Sequence, residues 1–200
     1  KLLENLMQIL IENAGAQVGY LLLDSPGDSS EEKDRLTVEI FGDVKVGKVE
    51  VLPSVPVGDR LPTSIINYVA RTQKTVVLNN AAVEGDFSGD SYSKKHQTKS
   101  VLCAPLVDRG KLTGIVYLEN NLAPGAFTKE RLEIIKLLSG QAAIAITNAQ
   151  LYAVVRDREN QLTQFLDAMP IAVAVLDAGG HPYYVNPKAV ELLGKGVAPE

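Results

Sequence analysis

The fold is decided by residues Thr128–Met169, whose sequence is TKERLEIIKLLSGQAAIAITNAQLYAVVRDRENQLTQFLDAM. This stretch contains no proline and a single glycine, Gly140, and most of its residues favour a helix. Thr128 is a suitable N-cap and Pro170 ends the helix, so we predict one continuous helix over residues 128–168. At 1.5 Å per residue this helix is about 60 Å long, several times the usual length.

The apolar pattern of this helix changes along its length. Between Leu132 and Ile146 apolar residues occur nearly all round the helix, as expected where a helix packs on its own domain. Further on, the apolar stripe narrows to steps of three and four residues, which is typical of a short parallel coiled coil between two copies. The alternative is an amphipathic helix that folds back on its own domain. The predicted dimer seam consists of Ala142, Ala145, Ala149, Tyr152, Val155, Leu162 and Leu166.

Composition and charge exclude several classes of protein. The 200 residues suit one or two domains, and 46% hydrophobic residues are enough for a packed core. A formal net charge of −4 gives no general attraction to nucleic acid or to an anionic membrane. No apolar run approaches the roughly 20 residues that span a bilayer, and residues 1–4 do not resemble a signal peptide. A single cysteine, Cys103, fits a reducing cytoplasm, where we expect this protein to lie.

The residues that precede the long helix alternate between helical and strand patterns. Residues 1–13 predict a helix with apolar side chains on more than one face. Gly19–Leu23 predicts a short buried strand. Leu36–Phe41 and Val44–Leu52 alternate as paired strands do, with Phe41-Gly42-Asp43 as the predicted turn between them.

The middle of the chain predicts a helix, a short strand and a lid. Thr63 is expected to cap a helix over Ser64–Arg71, and Thr75–Leu78 predicts a strand. Asn79–Lys99 has few apolar residues, which predicts a long lid loop with one helical turn.

The strongest strand pattern is Ser100–Leu118, where two apolar runs flank Asp108-Arg109-Gly110. This predicts a hairpin, with a bulge or a local sheet edge at Pro105 because proline cannot donate to a ladder. Asp24–Asp34 is rich in serine, glycine and acids, as solvated loops are. Together the elements predict a mixed α/β (α+β) fold, in which an antiparallel sheet carries the terminal helices on one face and the lid on the other.

Several of these segments resemble a known family. Lys99–Tyr152 looks like the second half of a GAF domain, and Pro62–Val69 with Val76–Leu78 resembles its middle. The resemblance covers roughly residues 1–152. This part of the sequence is similar to GAF segments of large bacterial multi-sensor kinases. Some of those kinases combine a serine/threonine kinase module with a histidine kinase.

A second resemblance begins after the long helix. Met169–Asp177 and Gly180–Asn186 resemble the opening of a PAS domain, so a helical linker at 153–168 leads to a PAS segment at 169–200. The likeness implies a complete PAS domain of about a hundred residues, so this chain is expected to be a piece of a longer protein. Since a hairpin and one helix rarely bury a core alone, we expect residues 171–200 to be poorly ordered or to pair with another copy.

Candidate ligand-binding residues come from the lid and the sheet beneath it. Cys103 lies in an apolar strand, where a free cysteine is usually a small buried hydrophobe rather than a redox or attachment site. His96 lies near the expected pocket mouth and is interpreted as a surface histidine, with haem ligation or a ligand hydrogen bond as the alternative. The predicted pocket residues are Phe87, Tyr92, His96, Cys103 and Tyr117.

The resemblance also bears on cofactors. Covalent bilin in GAF photoreceptors is usually held by a cysteine in the segment that corresponds to Asn79–Lys99, which has none. Cyclic-nucleotide-binding GAF domains carry Asn-Lys, a phenylalanine and then Asp-Glu; Asn120 and Phe127 fit, whereas Asn121 and the pair Arg131-Leu132 depart from the motif. We therefore predict neither ligand and no other cofactor, and we expect Asn120-Asn121 to shape a turn and Phe127 to fill the core.

No catalytic constellation and no metal-ligand spacing occur in the sequence, which has only two histidines. Asp86 and Asp90, and the basic cluster of Lys94, Lys95, His96 and Lys99, are interpreted as solvated parts of the lid. The sequence therefore predicts a non-catalytic sensory module of a multidomain kinase. It would form a homodimer through the long helix, receive a small molecule or partner signal, and relay it to PAS and kinase domains. The alternative is a ligand-free dimerisation scaffold within the same kinase.

Overall fold

The computed structural model describes residues 2–24 and 36–194, which fall into two compact units divided between Thr147 and Asn148. The first unit contains four helices, counting the start of the last, and six strands within the described residues. Their bounds are α1 Leu2–Ala14, β1 Val18–Asp24, β2 Leu36–Asp43, β3 Lys48–Pro56, α2 Thr63–Thr72, β4 Val76–Leu78, α3 Ser91–His96, β5 Ser100–Asp108, β6 Lys111–Asn120 and α4 Lys129–Asp167. A 3-10 turn, Gly58–Arg60, precedes α2.

The six strands form one antiparallel sheet in the order β3-β2-β1-β6-β5-β4. The predicted β5–β6 hairpin is confirmed, and its two-residue loop places Arg109 and Gly110 at φ values of 49° and 80°. Positive φ at both central residues is the geometry that matches the twist of paired strands. Pro105 lies beyond the end of β4, which pairs with Val101–Cys103 alone, so the expected local edge is present.

Each face of the sheet carries its own hydrophobic core. On one face α1 and α4 pack over β-strand residues such as Leu21, Leu102 and Val116. On the other face α2 packs through Ile65, Ile66 and Val69, and the lid segment completes the cover. Phe127 is buried in the α1/α4 core, where it was expected. The predicted mixed α/β architecture with helices on one face and a lid on the other is confirmed.

Gly42 is not part of a turn, so the turn predicted at Phe41-Gly42-Asp43 was wrong. Gly42 lies inside β2 directly opposite Gly19 of β1, and α1 crosses above this pair. A Cβ atom on Gly42 would come within 2.5 Å of Ile11 Cδ1, and one on Gly19 within 2.7 Å of Met7 Sδ. The glycines therefore allow α1 to pack closely on the sheet, since a larger residue at either position would displace Ile11 or Met7. The chain reverses later, between Asp43 and Lys48.

Two polar residues of the lid face have roles that differ from those predicted. Thr63 is the first residue of α2 and not its cap, because Pro62 occupies the N-cap without a side-chain hydrogen bond. Asp90 is not simply solvated: its carboxylate accepts from the amides of Tyr92 and Ser93 and caps α3. The same carboxylate accepts from the Ser64 hydroxyl at 2.5 Å, which joins α3 to the start of α2. Most of the loop predicted at Asp24–Asp34 lies outside the described residues.

The long helix α4 is continuous from Lys129 to Asp167, in agreement with the prediction. Thr128 acts as its N-cap, since its hydroxyl accepts from the amide of Arg131 at 3.4 Å. Every residue from 148 to 165 is exposed. Of the helices in the described ranges, α4 included, none combines the length and apolar character that a membrane span requires.

The second unit contains the rest of α4, the hairpin β7 Ala174–Leu176 and β8 Pro182–Val185, and the short helix α5 Pro187–Leu193. Its centre is Asn186, whose side-chain oxygen accepts from the amides of Val173 and Ala189 at 2.9 Å each. The Asn186 amide group donates to the carbonyls of Leu166 and Ile171 at 3.1 and 2.9 Å. One side chain thus joins the end of α4, the hairpin and α5. Pairing of this unit with another copy stays a prediction.

Candidate ligand pocket and signalling helix

A pocket of ≈ 520 Å³ opens on the lid face of the sheet, where β1 and β2 meet the lid helix α3. Its floor follows directly from strand register, because Phe41 pairs with Tyr20 and Tyr20 pairs with Tyr117, so all three side chains share one face. The Tyr20 ring lies 5.0 Å from that of Phe41 and 6.3 Å from that of Tyr117. The described lining residues are Tyr20, Val38, Phe41, Leu52, Arg60, Tyr92, Lys95 and His96.

Behind this pocket lies a buried carboxylic acid, Glu119, on the central strand β6. It is 3% exposed, and it accepts from the Tyr117 hydroxyl at 2.6 Å and from the Asn121 side-chain amide at 3.4 Å. The Tyr92 hydroxyl interacts with the same carboxyl group. Burial raises the pKa of Glu119, and the interactions with the two tyrosines and Asn121 oppose that rise.

The tyrosines around Glu119 stay protonated over the physiological range. The pKa of Tyr20 is raised to about 12, mainly by burial and secondly by the nearby Glu119 carboxyl. The same two causes raise the pKa values of Tyr92 and Tyr117 well above 10. The Tyr117 and Tyr92 hydroxyls therefore act as hydrogen-bond donors towards Glu119, and none of the three tyrosines acts as a base.

Tyr92 carries the link between the lid and the sheet. It lies on α3, its ring packs 4.2 Å from that of His96, and the His96 Nδ1 atom donates to the Tyr92 carbonyl at 3.0 Å. Since Asp90 holds the start of α3 against Ser64, the helix is anchored at its N-terminus while its side chains face the pocket. A ligand that contacts the Tyr92 side chain therefore contacts a residue that also interacts with Glu119.

The structure brings two of the five predicted pocket residues to the pocket wall, namely Tyr92 and His96. Phe87 packs instead against the ring of Tyr68 at 5.4 Å. Cys103 and Tyr117 are fully buried below the pocket and are not among its described lining. Burial raises the pKa of the Cys103 thiol, so the thiol stays protonated and unreactive. Cys103 is thus a small buried hydrophobe, as interpreted from the sequence.

Six of the eight described lining residues, and Glu119, were missed by sequence reasoning. Tyr20 and Phe41 lie in predicted strands, but their meeting depends on a strand register that the sequence does not display. Lys95 was assigned to a solvated cluster, and Arg60 was not singled out. The only sequence signal for Glu119 is an acid at the end of an apolar strand run, Gly114–Leu118.

Asn120 and Asn121 shape the turn after β6, as predicted, and they connect four elements. The Asn120 amide donates to the Gly15 carbonyl at the end of α1, and its oxygen accepts from the amides of Leu122 and Ala123. The Asn121 oxygen accepts from the amide of Lys99, the last lid residue. At the start of α4 the Arg131 guanidinium donates to the Ala126 carbonyl at 2.8 Å. The Ser100 hydroxyl, next to Lys99, accepts from the amide of Ala126 at 2.9 Å. Hydrogen bonds and adjacent residues thus connect the lid and Glu119 to α1 and α4.

The exposed apolar residues of α4 define a stripe that differs from the predicted seam. Ala142 was wrongly assigned to the seam, because it is 2% exposed and packs in the first unit's own core. The exposed stripe follows alternating steps of three and four, with Gln141, Asn148 and Arg158 at its polar positions. Its exposed apolar members are Ile134, Leu137, Ile144, Leu151, Val155, Leu162 and Phe165. Tyr152 and Val154 lie beside it and are also exposed.

A second, larger cavity of ≈ 730 Å³ lies between α2 and the β5–β6 hairpin. Its cationic lining comes from Arg71, Arg109 and Lys111, and it contains no aromatic side chain among the described residues. Asp24 and Leu36 also border it. Nor do the described ranges contain any group of three or more His, Cys, Asp or Glu side chains arranged to hold a metal ion.

Comparison with known proteins places these features in a family. The model of the GAF domain matches residues 1–146, and the model of a PAS domain matches residues 160–200. The chain is 46% identical over 98 residues, 49% of its length, to hybrid signal transduction histidine kinase G of Dictyostelium discoideum. It is 29% identical over 124 residues, 62% of its length, to peroxide stress-activated histidine kinase mak3 of Schizosaccharomyces pombe. The chain spans 3% and 5% of the lengths of these two kinases.

The fold agrees with that assignment. The GAF domain of an Acinetobacter phosphoenolpyruvate-protein phosphotransferase superposes with a TM-score of 0.52 at 18% identity, over 74% of this chain and 82% of that one. Family match, sheet order and flanking helices coincide over the first unit, and the PAS match begins within α4. The chain therefore belongs to the GAF domain family, with a match to a PAS domain after it, and the relatives named above are histidine kinases.

Proposed function

We propose that this chain is a non-catalytic sensory and relay module of a signal-transduction kinase. A small molecule binds in the pocket beneath α3, and the long helix α4, paired with a second copy, carries the change towards the PAS segment. The observation that carries this proposal is the position of Tyr92, which lines the pocket and also interacts with Glu119 on the central strand.

The contacts beyond Glu119 support a route for the signal. Glu119 bonds the Asn121 side chain, Asn121 holds the end of the lid at Lys99, and Asn120 holds the end of α1 at Gly15. The chain runs from the Asn120-Asn121 turn through residues 122–128 to the start of α4. A ligand that moves Tyr92 therefore acts on a hydrogen-bonded set that reaches both terminal helices of the first unit.

Energetically, a modest preference is enough. A ligand biases output only if it binds two arrangements of the helices with unequal affinity, and about 1–3 kcal/mol of coupling is typical of such systems. The exposed stripe of α4 is proposed as the surface through which two copies of the helix pair. Pairing is favourable because two helices that bury apolar residues at heptad spacing against each other gain free energy.

The catalytic output is proposed to lie outside this chain. The histidine kinases that it resembles are far longer, and the chain matches a small part of each. The whole protein is accordingly proposed to be a cytoplasmic kinase with a histidine kinase module, a serine/threonine kinase module or both. The fully buried thiol of Cys103 is compatible with that reducing compartment.

A dimerisation scaffold without a ligand remains the second candidate. Its support is that Cys103 and Tyr117 already fill the sheet face below the pocket. Both candidates require the dimer, and the ligand separates them. The test is titration calorimetry of the intact chain against a panel of small molecules. A chain that is dimeric and binds none of them would favour the scaffold.

The dimer is tested by light scattering of the 200-residue chain and of variants on α4. We expect Leu162→Glu and Leu151→Glu to shift the chain to monomer, since each places a charge in the apolar stripe. Ala153→Glu is the matched control, because Ala153 is exposed on the same helix and lies off the stripe. This variant should associate as the wild type does.

Ala149→Glu distinguishes the two registers of the seam. Ala149 belongs to the seam predicted from the sequence and lies outside the exposed stripe that contains Leu151. We expect Ala149→Glu to keep the dimer. Loss of association in Ala149→Glu but not in Leu151→Glu would restore the original register, and unchanged association in all four variants would contradict a helix-mediated dimer.

A further inference from the structure

The wall of the larger cavity, of ≈ 730 Å³, carries more cations than acids. Arg71 lies in the last turn of α2, Arg109 lies in the loop of the β5–β6 hairpin, and Lys111 begins β6. Among the described residues, none of these three side chains forms an ion pair or a hydrogen bond. The acid in the described lining is Asp24, which is buried at the end of β1. The surplus of positive charge favours an anionic ligand, because charge-assisted hydrogen bonds are about twice as strong as neutral ones.

Arg109 occupies a backbone position that does not suit an arginine. Its φ of 49° is left-handed, a region that disfavours residues with a Cβ atom, and turns of this kind prefer Asn, Asp or Gly there. Gln73, which follows α2 and lines the same cavity, is also left-handed, at φ 53°. These are two of the four non-glycine residues with positive φ in the described ranges. Such backbone positions cluster at ligand sites, which favours a role for Arg109 beyond shaping the turn.

The helix dipole accounts for only part of the cationic wall. A cation in the last turn of a helix interacts favourably with the negative end of the dipole, and this applies to Arg71. It does not explain why the hairpin contributes two further cations to the same cavity. The end of α2 and the hairpin loop are also joined directly, because the Gln73 side-chain amide donates to the Gly110 carbonyl at 3.4 Å. The cations of two elements are thereby held around one space.

The rest of the wall favours a flexible ligand over a flat ring. No aromatic side chain belongs to the described lining, so a planar ligand has no ring to stack on. Asn67 and Gln73 add amide groups, and the aliphatic surface comes from Leu36, Ala70 and Leu112. Guanidinium groups bind carboxylate and phosphate oxygens in pairs, whereas an ammonium group binds them as a point charge.

We propose that this cavity is a second binding site, which takes a small flexible polyanion with two or more phosphate or carboxylate groups. One anionic group bonds Arg71 on α2, and another bonds Arg109 and Lys111 on the hairpin. A ligand with a single anionic group would leave part of this cationic wall unpaired. The site shares no described lining residue with the pocket beneath α3, so its failure would leave the proposed function untouched.

The test is titration calorimetry of the intact chain in metal-free buffer with matched probes. Inorganic triphosphate carries several phosphate groups and citrate carries several carboxylates, whereas inorganic phosphate and acetate each carry a single anionic group. We expect triphosphate or citrate to bind about tenfold or more tightly than its single-group counterpart, because it forms additional charged hydrogen bonds. Which polyanion binds better identifies the anionic group.

Arg109→Asn separates ligand binding from the structure of the turn. Asparagine suits the left-handed position, so this variant should be at least as stable as the wild type in urea unfolding. It should nevertheless bind the polyanion about tenfold more weakly, because it loses a charged partner. The double variant Arg71→Gln with Lys111→Gln should lose at least as much affinity, and circular dichroism checks that it is folded.

The matched control is the double variant Lys45→Gln with Lys48→Gln. It removes two exposed cations from the β2–β3 hairpin, which lies at the opposite end of the sheet: Asp43 pairs with the first residue of β1, whereas Gly114, next to the β5–β6 loop, pairs with Leu23 near its end. This control changes the net charge as the Arg71/Lys111 variant does. It should bind the polyanion as the wild type does.

Four outcomes overturn the proposal. The first two are polyanions that bind no better than phosphate and acetate, and undiminished affinity in both folded cavity variants. The third is an equal loss of affinity in the Lys45/Lys48 control, which would show a general attraction between opposite charges and not a site. The fourth is the absence of binding by triphosphate and citrate at millimolar concentration. A loss of affinity confined to the cavity variants supports the site.

Discussion

The two units of this chain bury their residues in different ways. The first unit has a core on each face of its sheet, and its large apolar strand residues are covered. In the second unit the described residues that are buried are Asn186 and Ala189, whereas Ile171, Leu176 and Tyr183 are exposed. The first unit is thus organised by apolar packing and the second by hydrogen bonds around one asparagine.

This difference separates self-sufficient structure from structure that needs a partner. A sheet covered on both faces supplies its own hydrophobic stabilisation. A two-stranded hairpin with one helix does not, and its uncovered side chains gain free energy from further chain or from another copy. The same contrast appears within α4, whose buried residues lie before Thr147 and whose residues from 148 to 165 are all exposed.

The largest expected effect comes from a matched pair of leucine substitutions. Leu102 is fully buried in β5 and Leu176 is 57% exposed in β7. Leu102→Ala should lower the free energy of unfolding by about 2–5 kcal/mol, because it removes packed atoms and leaves a cavity. Leu176→Ala should change it by less than about 0.5 kcal/mol, as most surface substitutions do.

Urea unfolding of both variants, followed by circular dichroism, measures these values. Equal losses would show that Leu176 is covered in solution, either by further chain or by a second copy in the proposed homodimer. Repeating the measurement over a range of protein concentrations decides whether a second copy supplies that cover.

Asn186→Ala tests the opposite kind of organisation. It removes all four side-chain hydrogen bonds that join the end of α4 to the hairpin and to α5. We expect a loss of roughly 1–3 kcal/mol, the cost of leaving buried polar groups unsatisfied, with hydrogen-exchange protection reduced over residues 171–194. Protection in the first unit should not change.

Asn160→Ala is the matched control, since Asn160 is exposed on α4. Unaltered exchange in Asn186→Ala would mean that Asn186 does not organise the second unit. Loss of protection in both units would mean that the two respond as one structure, which would contradict their separation.

What the sequence made predictable follows the same division. The length of α4, the Thr128 cap and the β5–β6 turn are determined by residues close together in the sequence. Each was predicted from a few neighbouring positions. The covered faces of the sheet followed from apolar strands with polar loops. These features depend little on distant contacts.

The features that were missed depend on which distant residues meet. Gly42 was read as a turn residue because its close contact with Ile11 of α1 is not visible along the strand. Ala142 was placed in the seam because the sequence does not show which apolar side of α4 its own sheet takes. Only two of the eight described pocket residues were predicted for the same reason, since Tyr20 and Phe41 reach the pocket through strand register alone.

The smallest expected effect compares a buried acid of the first unit with an exposed acid of the second. Burial raises the pKa of Glu119 above its ordinary value of 4.5. Below that value the carboxyl is protonated in both the native and the unfolded chain, so folding carries no penalty. As the pH rises from there through the native pKa, the unfolded chain releases its proton first, and the stability that protonated Glu119 contributes is lost.

Glu119→Gln removes this titration while it keeps an acceptor for Tyr117. We expect the unfolding free energy of the wild type to fall relative to that of Glu119→Gln as the pH rises, because other titrating groups contribute equally to both and cancel. Glu159→Gln, an exposed position on α4, should give a difference that does not vary with pH in this way. Urea unfolding at a series of pH values from about 4 to 8 measures all three chains. A constant difference between wild type and Glu119→Gln would mean that the hydrogen bonds of Tyr117, Tyr92 and Asn121 fully offset burial, which would leave Glu119 ionised beneath the lid.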